Sequence, residues 1–441
     1  MKLTDKKVLV MGMARSGISA ARCAINAGAE VTVTDLRDNA PRVHGAVHKY
    51  GSHNVEDFTQ SDLIVVSPGI PAHNPLLEEA RQAGVEIISE MGFAAEFIQA
   101  RGIPIIAITG TNGKSSVTWF VNQFLRAAGF KSFVGGNLGT ALSDLVLSDE
   151  KPDFAVVEVS SYQLELDCMF SPIAAAALNL SPDHLARHGT MGIYGQTKSK
   201  IFKNMPSEGY AAVPQSEANN PSGMLAHGKT NAKQIWLDRL PGSVRNGKIV
   251  TLRGTPDDGE LILNGMNLFG EHNLDNAAAA ALLCICAGVP RSAIRPEVLS
   301  ALPHRLEMVH TSNGIVWIND SKATNVDAAI VGIKSMVSPS IVLLGGAAKT
   351  GADYSRLNMA LKTHVHSVFC FGAAGNQIAL DIVGPQVTIV PTLTDAVLKA
   401  AECAQDGDSI LLSPACASFD EFNNFEERGE SFATLAREAK P

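Results

Sequence analysis

The stretch IIAITGTNGKSSVTWF (residues 105–120) decides the fold because it joins an apolar strand to a helix through a glycine turn. The apolar run ends before Gly110, and apolar residues recur at helical spacing from Val117 onward. Glycines after a strand let backbone N–H groups converge, and a helix N-terminus adds about half a positive charge. The sequence therefore predicts a turn that binds phosphate, at the carboxyl end of a buried strand.

This turn departs from the common pattern G-x-x-x-x-G-K-[ST], because Ile108 stands where the first glycine is expected. Lys114 and Ser115 nevertheless hold the functional positions at the start of the helix. A lysine there reaches the β- and γ-phosphates of a nucleotide, and a serine hydroxyl is placed for Mg²⁺. The alternative, a glycine-rich turn with an incidental lysine, is disfavoured because strand, glycines, Lys-Ser pair and helix all agree.

A magnesium ion bound to phosphate needs an oxygen ligand from elsewhere, and Glu158 is the candidate. It lies in the apolar stretch AVVEVSS, where an unpaired carboxylate is costly. An ion pair at the end of the sheet is the alternative. His184 follows the next apolar strand, and we expect it to face the same cleft.

Composition limits the remaining choices. A chain of 441 residues is too long for one core, so two to four domains are expected. The net charge of -8 and scattered basic residues argue against nucleic-acid and anionic-membrane partners. Seven cysteines without metal spacing fit a reducing cytoplasm, and Cys284 and Cys286 read as core residues of a helix. No run is long enough to cross a membrane, and the first apolar stretch reads as a strand rather than a signal peptide.

Short apolar strands alternate with helices along the whole chain, which predicts an α/β fold with parallel sheets covered on both faces. One stretch, GELILNG (259–265), suggests a small antiparallel excursion. We expect three domains, with limits at residues 1–94, 95–301 and 302–441.

The first domain opens with GMARSG (residues 12–17), which has the spacing of the dinucleotide fingerprint. Ala14 replaces the middle glycine, which normally lets the backbone approach a pyrophosphate. Asp35 ends the second strand, near the place of the ribose-binding acid. An NAD site is therefore one interpretation, and a different diphosphate held by Ser16 and the helix N-terminus is at least as well supported.

Taken together, the motifs resemble those of the Mur ligase superfamily over essentially the whole chain, and the last four resemble its D-glutamate-adding members. In order, the motifs are TGTNGKSS (109–116), GGNLG (135–139), EVSSYQLE (158–165), DHLARHG (183–189), YGQTK (194–198), GEHNLDN (270–276), LPHRLE (302–307), NDSKATN (319–325), LGGAAK (344–349) and SPACASFDEFNNFEERG (413–429). The resemblance implies a Rossmann-like UDP-binding domain, a central P-loop ATPase-like α/β domain and a C-terminal Rossmann-like domain.

The resemblance also implies an activity: an ATP-dependent amide ligase that adds D-glutamate to UDP-N-acetylmuramoyl-L-alanine through an acyl phosphate, in peptidoglycan precursor synthesis. ATP and Mg²⁺, with two ions expected, are the implied cofactors, and Lys198 matches a lysine that is carbamylated. The implied catalytic residues are Lys114, Glu158, His184 and Lys198. Those implied to hold metal are Ser115, Glu158, His184 and carbamylated Lys198. On the sequence alone, Lys198 reads as a surface lysine of a helix.

The resemblance assigns three binding sets. For ATP they are Gly110, Thr111, Asn112, Gly113, Lys114, Ser115, Ser116, Asn273, Asn276, Arg305 and Asp320. For the UDP substrate they are Arg15, Ser16, Asp35, Arg37, Ser67, Gly69, Asn137 and His184. For D-glutamate they are Lys322, Thr324, Lys349, Ser418 and Phe425, the last through its backbone.

Two positions depart from the family pattern. Leu36 stands where some members carry threonine, which removes one hydroxyl contact to the uracil side, and Ala186 replaces a commonly acidic residue beside His184. Other interpretations are a sister amide ligase, an NAD-dependent oxidoreductase with a regulatory NTPase domain, and a nucleotide-binding switch without chemistry. We expect a monomer in the cytoplasm whose partners are its small-molecule substrates.

Overall fold

The apolar runs form the buried strands of three sheets, as the sequence predicts. The computed structural model of the chain describes residues 2–166, 169–221, 223–224, 230–266, 268–349 and 351–439. The chain divides into two compact units, Met1–Gly265 with Asp275–Val298, and Met266–Leu274 with Leu299–Pro441. The first unit contains two of the sheets and the second contains the third. The exact domain limits stay a prediction.

The first sheet is parallel throughout, in the order β3-β2-β1-β4-β5. Its strands are β1 (Lys7–Met11), β2 (Glu30–Asp35), β3 (Ala46–Tyr50), β4 (Leu63–Val66) and β5 (Glu86–Ser89). Its helices are Arg15–Asn26, Val55–Thr59, Pro75–Gln82 and Glu90–Ala100. The strand order reverses between β1 and β4, and in open α/β sheets ligands bind beside the carboxyl ends at such a point.

The second sheet has the order β14-β13-β12-β11-β10-β9-β6-β8-β7. Its strands are β6 (Ile105–Thr109), β7 (Ser132–Gly136), β8 (Phe154–Glu158), β9 (Ala174–Ala177), β10 (Tyr210–Val213), β11 (Lys233–Trp236), β12 (Gly242–Asn246), β13 (Ile249–Arg253) and β14 (Gly259–Ile262). Only the pairs β12–β13 and β13–β14 are antiparallel, which confirms the predicted excursion. Strand β6 lies between β8 and β9, so the glycine turn leaves the sheet between two neighbours whose carboxyl ends also carry polar residues.

The helices described in this part of the chain follow β6, β7, β9 and β14 in the sequence. They are Lys114–Ala127, Leu142–Leu147, Leu185–His188, Met191–Ser199 and Glu271–Cys286, the last contributing residues to both units. Cys284 and Cys286 are buried in it, as predicted. Among the described residues, no helix has the length and apolar character needed to cross a membrane.

The third sheet has the order β15-β16-β20-β17-β18-β19. Its strands are β15 (Glu307–Ser312), β16 (Ile315–Asn319), β17 (Ser340–Gly345), β18 (Val365–Phe371), β19 (Gln386–Ile389) and β20 (Ser409–Ala415). Its helices are Val326–Lys334, Asn358–Leu361, Gly375–Asp381, Leu393–Cys403 and Phe425–Glu438. All pairs are parallel except β15–β16, where the polar sequence EMVHTS forms an antiparallel edge that the sequence pattern did not reveal.

The first helix lies close to the first sheet because Gly17 has no side chain. A Cβ atom at Gly17 would lie 1.9 Å from the carbonyl oxygen of Gly12. We expect Gly17→Ala to lower the free energy of unfolding by about 2 kcal/mol, as overpacking of a rigid contact does. Urea denaturation of the whole chain measures this change.

Gly192→Ala is the matched control, because Gly192 also lies in a helix but its nearest neighbour would be 3.8 Å from the added Cβ. Helix propensity predicts that it stabilises the protein by up to about 1 kcal/mol. Equal effects of the two substitutions would contradict the packing argument.

Candidate active site

The glycine turn after β6 takes the shape that its sequence predicts. Gly113 has a φ of 81° and precedes the helix Lys114–Ala127, whose first turn contains no acidic residue. The side-chain oxygen of Asn179 accepts hydrogen bonds from the backbone N–H groups of Thr111 (3.1 Å) and Asn112 (2.8 Å). Asn179, which follows β9, therefore fixes the turn, and the sequence analysis did not identify it.

Two further residues of the ATP set lie at the turn. A Cβ atom at Gly113 would lie 2.8 Å from the side-chain oxygen of Asn276, so this asparagine borders the turn. The ammonium of Lys114 donates to the carbonyl oxygens of Gly110 (3.0 Å) and Thr111 (2.8 Å). A cation and a helix N-terminus thus meet at one place, which suits a polyanion.

Glu158 ends β8, next to β6, and is only 2% exposed. Its Oε1 accepts a hydrogen bond of 2.7 Å from the side-chain amide of Asn137. Its Oε2 is buried and has no hydrogen-bond partner among the described residues. A buried carboxylate oxygen without a donor is costly, and a divalent cation with oxygen ligands removes that cost. Glu158 with the nearly buried hydroxyl of Ser115 therefore fits a magnesium site.

Lys198 is not the surface lysine that its sequence position suggests. Its side chain is 1% exposed, and its ammonium donates to the carbonyl oxygen of Gly110 at 2.8 Å. It also lies 4.7 Å from the centre of the Tyr194 ring. The interpretation of Lys198 as a surface lysine was therefore wrong. The helix Met191–Ser199 buries five residues that show no apolar periodicity in the sequence: Tyr194, Gly195, Thr197, Lys198 and Ser199.

Burial, together with the positive charge of Lys114, lowers the pKa of Lys198 to about 7. The carboxylates of Asp183 and Glu158 oppose this change without reversing it. A substantial fraction of the amine is therefore neutral near neutral pH. A neutral amine is nucleophilic, and it is the form that adds CO₂.

His184 lies in the segment that follows β9. Its Nδ1 is 3.1 Å from the hydroxyl of Tyr162, and its backbone has a φ of 54° at the start of the helix Leu185–His188. The rings of Tyr162 and Tyr194 flank His188, whose pKa is lowered by burial. The hydroxyl of Tyr194 lies 3.3 Å from that of Thr111. This group of rings, which was absent from the predicted site, links the histidine segment to the glycine turn. Ala186, in the same segment, is exposed.

The candidate UDP-binding residues surround the switch point of the first sheet. Asp35 forms a two-point ion pair with the guanidinium of Arg37, and it accepts a hydrogen bond of 2.7 Å from the backbone N–H of Met13. The ion pair with Arg37, helped by this hydrogen bond, holds the pKa of Asp35 well below its usual range. Both oxygens of Asp35 therefore form hydrogen bonds, which stabilise the turn at Met13 and fix the orientation of the Arg37 side chain. Arg15 donates to the carbonyl of Gly139.

The other residues of this set are close by. Ser67 donates to the carbonyl oxygen of Gly12 at 2.7 Å, so the turn after β4 contacts the turn after β1. Ser16 lies in the first turn of the first helix, and Gly69 lies in the turn after β4. Leu36 is 67% exposed beside Asp35, which is compatible with an apolar neighbour at that position. The structure therefore places six of the eight predicted UDP residues at the carboxyl ends of the first sheet, whereas Asn137 contacts Glu158 and His184 contacts Tyr162.

In the second unit, Asp320 ends up buried beyond the carboxyl end of β16. Its Oδ2 accepts a hydrogen bond of 2.8 Å from Ser413, and burial raises its pKa to about 7 against the opposing charge of Arg305. Asn273, also in this unit, donates to the carbonyl oxygen of Phe269 at 2.7 Å.

The predicted D-glutamate residues lie at the carboxyl ends of the third sheet. The ammonium of Lys322 lies 5.8 Å from the centre of the Phe425 ring, and Ser418 is buried. The backbone N–H of Thr324 donates to the carbonyl oxygen of Lys322. Lys349 is exposed in the loop after β17.

Arg428 is fully buried beside this set and was missed by the sequence analysis. Its guanidinium donates to the hydroxyl and carbonyl of Ser321 and to the carbonyls of Cys416 and Ala417, at 2.8–3.1 Å. Burial lowers its pKa to about 10. The ERG triplet 427–429 gave no signal for this role, because an arginine in a helix is ordinarily exposed.

Comparison with known proteins identifies the class. Three family models match the chain: the Mur ligase MurD-like N-terminal domain at residues 6–89, the Mur ligase middle domain at 108–284 and the Mur ligase glutamate ligase domain at 304–416. The chain therefore belongs to the Mur ligase family.

Curated relatives add the particular member that the chain resembles. It is 37% identical to the UDP-N-acetylmuramoylalanine--D-glutamate ligase of Koribacter versatilis, over 99% of this chain and 98% of that protein. It is 38% identical to the protein of the same name from Pelobacter propionicus, over 99% and 100%.

Solved structures share the fold at low identity. The MurF ligase from Thermotoga maritima in complex with ADP has a TM-score of 0.61 at 16% identity, covering 99% of this chain and 96% of that one. The UDP-N-acetylmuramate-alanine ligase MurC from the same organism has a TM-score of 0.58 at 16% identity, covering 99% and 100%.

The raised pKa of Asp320 predicts a pH dependence. The folded protein keeps a proton that the unfolded chain releases between the usual carboxyl pKa and about 7, so this group's contribution to stability falls as pH rises through that window. Asp320→Asn cannot titrate. We expect the wild-type free energy of unfolding to fall relative to the variant between about pH 5 and about pH 7, by up to about 1.4 kcal/mol per pH unit.

Urea denaturation at each pH measures this difference, with the exposed Asp406→Asn as the control. Parallel curves for wild type and Asp320→Asn would show that the buried group does not hold its proton.

Proposed function

We propose that this chain is an ATP-dependent ligase that joins D-glutamate to the L-alanine carboxylate of UDP-N-acetylmuramoyl-L-alanine, in peptidoglycan precursor synthesis. Membership of the Mur ligase family and full-length relatives that carry the D-glutamate ligase name support this function. The observation that carries it within the chain is that the glycine turn with Lys114 and the unsatisfied oxygen of Glu158 lie at the carboxyl ends of the neighbouring strands β6 and β8.

The chemistry explains why these groups are needed. A carboxylate is a poor electrophile, so its oxygen attacks the γ-phosphorus of ATP, the bond to the β-phosphate oxygen breaks, and an acyl phosphate and ADP form. The amine of D-glutamate then attacks the acyl carbon. The tetrahedral intermediate expels inorganic phosphate, the amine proton is lost, and the amide remains.

The chain's own residues act on charge and position. Lys114 and the backbone amides of the turn hold the β- and γ-phosphates and stabilise the negative charge that the transferring phosphoryl group carries. Ser115 and Glu158 would hold one Mg²⁺ ion, and His184 with carbamylated Lys198 would hold a second. Bound Mg²⁺ would neutralise phosphate charge and keep the reacting oxygens in line.

The binding sets remain as the resemblance assigns them. For adenine, ribose and phosphates we propose Asn273, Asn276, Arg305 and Asp320, together with Gly110, Thr111, Asn112, Gly113, Lys114, Ser115 and Ser116. For the UDP substrate we propose Arg15, Ser16, Asp35, Arg37, Ser67, Gly69, Asn137 and His184. For D-glutamate we propose Lys322, Thr324, Lys349, Ser418 and the backbone of Phe425. We place the enzyme in the cytoplasm, where ATP is available, as a monomer.

The amino-acid dependence of phosphate release tests the function. We expect release from ATP only when UDP-N-acetylmuramoyl-L-alanine and D-glutamate are both present, because the acyl phosphate needs the first and its turnover the second. A colorimetric phosphate assay measures it, with L-glutamate as the matched control. Phosphate release that depends on L-lysine, meso-diaminopimelate or a folate would instead assign the chain the function of a sister ligase. Reduction of NAD by the chain would favour an oxidoreductase.

Lys114→Ala tests the phosphate turn. We expect turnover to fall by at least about a hundredfold, as when one preorganised charge is removed from a transition state. Binding of the UDP substrate, measured by calorimetry, should persist because six of the eight proposed UDP residues lie around the first sheet. Lys131→Ala, an exposed lysine beyond the same helix, is the control. Loss of UDP-substrate binding together with turnover would contradict the domain assignment.

Carbamylation of Lys198 is tested directly by carbon NMR of the protein in isotope-labelled bicarbonate. We expect a carbamate signal that grows as pH rises through about 7, because the pKa of Lys198 lies there and only the neutral amine adds CO₂. Lys198→Gln should remove the signal, and Lys203→Ala, an exposed lysine of the same region, should keep it. A signal that persists in Lys198→Gln would assign the adduct elsewhere.

A further inference from the structure

Arg187 joins the two sheets of the first unit. Its Nε and Nη2 donate to the two carboxylate oxygens of Glu165, at 2.7 and 2.8 Å, and both side chains are largely buried. The same guanidinium donates to the carbonyl oxygens of Ile70 (2.8 Å) and Gly69 (3.3 Å) in the turn after β4. One planar group thus holds a residue of the second sheet's loops and a turn of the first sheet at fixed positions.

Glu165 contacts that turn independently. Its Oε2 accepts a hydrogen bond of 3.2 Å from the backbone N–H of Ala72. Its own backbone carbonyl accepts one of 2.7 Å from the ammonium of Lys200. The Arg187–Glu165 pair therefore contacts residues 69–72 in two ways: Arg187 donates hydrogen bonds to them and Glu165 accepts one. Lys200 holds Glu165 in place through its backbone carbonyl.

Each end of this pair leads to a different part of the proposed site. The turn at residues 67–72 contacts the turn after β1, since a Cβ atom at Gly12 would lie 2.9 Å from the Ile70 side chain. At the other end, the Arg187 guanidinium lies 4.9 Å from the centre of the Tyr162 ring, and Tyr162 contacts His184. Arg187 is also only three residues from His184 along the chain.

We propose that the Arg187–Glu165 pair is a positioning device that sets the UDP-substrate turn, residues 67–72, against the His184 segment. The proposal rests on the proposed function, because the turn must carry the UDP substrate and the segment must face its reacting end. Neither side chain touches the reacting atoms. The pair holds the diphosphate end of the substrate at the distance from the phosphate turn that the L-alanine carboxylate needs.

The bonding pattern favours this role over simple stabilisation. A buried ion pair is seldom needed for stability, since its desolvation offsets much of its attraction. A guanidinium that donates to two carbonyl oxygens and a carboxylate fixes a loop in one conformation. Such precision matters because a displacement of about 1 Å at a reacting group costs up to about a hundredfold in rate. Arg101 offers a comparison, because its guanidinium also joins two carbonyls, those of Leu145 (2.8 Å) and Glu150 (2.5 Å), but does not contact the turn.

The test compares steady-state kinetics of Arg187→Gln, Glu165→Gln and the double variant with the matched control Arg101→Gln. The wild-type protein must first release phosphate with both substrates, and a failure there overturns the proposed function rather than this inference. In Arg187→Gln, Glu165→Gln and the double variant we expect the KM for the UDP substrate to rise by about tenfold or more, with the KM for ATP within about twofold of wild type. Because the two residues act as one unit, the double variant should be little worse than either single one.

Arg187→Lys and calorimetric binding of UDP keep the test decisive if a glutamine variant is unstable. Lysine keeps the charge but loses the fork, so an intermediate KM for the UDP substrate is expected. The proposal is overturned if the UDP-substrate KM stays at the wild-type value. It is equally overturned if both KM values rise together with a lowered melting temperature, or if Arg101→Gln raises the KM for the UDP substrate as much.

Discussion

Two lysine ammonium groups and one carboxylate lie close together at the carboxyl ends of the central strands, and this concentration of charge governs the site. Lys114 and Lys198 both donate to the carbonyl of Gly110, and each disfavours the charge of the other. Glu158 offers one buried oxygen without a donor. Burying these charges without partners costs free energy, and the arrangement becomes favourable when a polyanion and a divalent cation bind to it. The proposed binding of a nucleotide with its metal would supply both of these charges.

The sequence predicted the parts of this site that depend on local pattern. The glycine turn, the buried strand that ends in Glu158 and the α/β alternation all follow from residues adjacent in the chain, and the structure has them. The apolar runs after residue 302 also form strands, as the predicted α/β alternation requires. The edge strand Glu307–Ser312 was missed because most of its residues are polar and it pairs with β16 in the antiparallel sense.

What the sequence did not predict depends on which side chains meet across elements. Lys198 looks like Lys203 in the sequence, yet one is buried against the phosphate turn and the other is exposed. Asn179, Arg187 and Arg428 share a property that no motif records: each holds backbone groups of a loop in place. Since loops carry the binding residues, the helices and strands provide the frame and these polar side chains set the fine geometry.

A crystal structure with a non-hydrolysable ATP analogue and Mn²⁺ tests the central claim most directly. The account predicts triphosphate oxygens within hydrogen-bonding distance of the amides of residues 111–116 and of the Lys114 ammonium. It also predicts an anomalous peak for manganese against Oε2 of Glu158, the oxygen that lacks a protein partner. A vacant turn with the analogue bound elsewhere, or manganese bound away from Glu158, would contradict it.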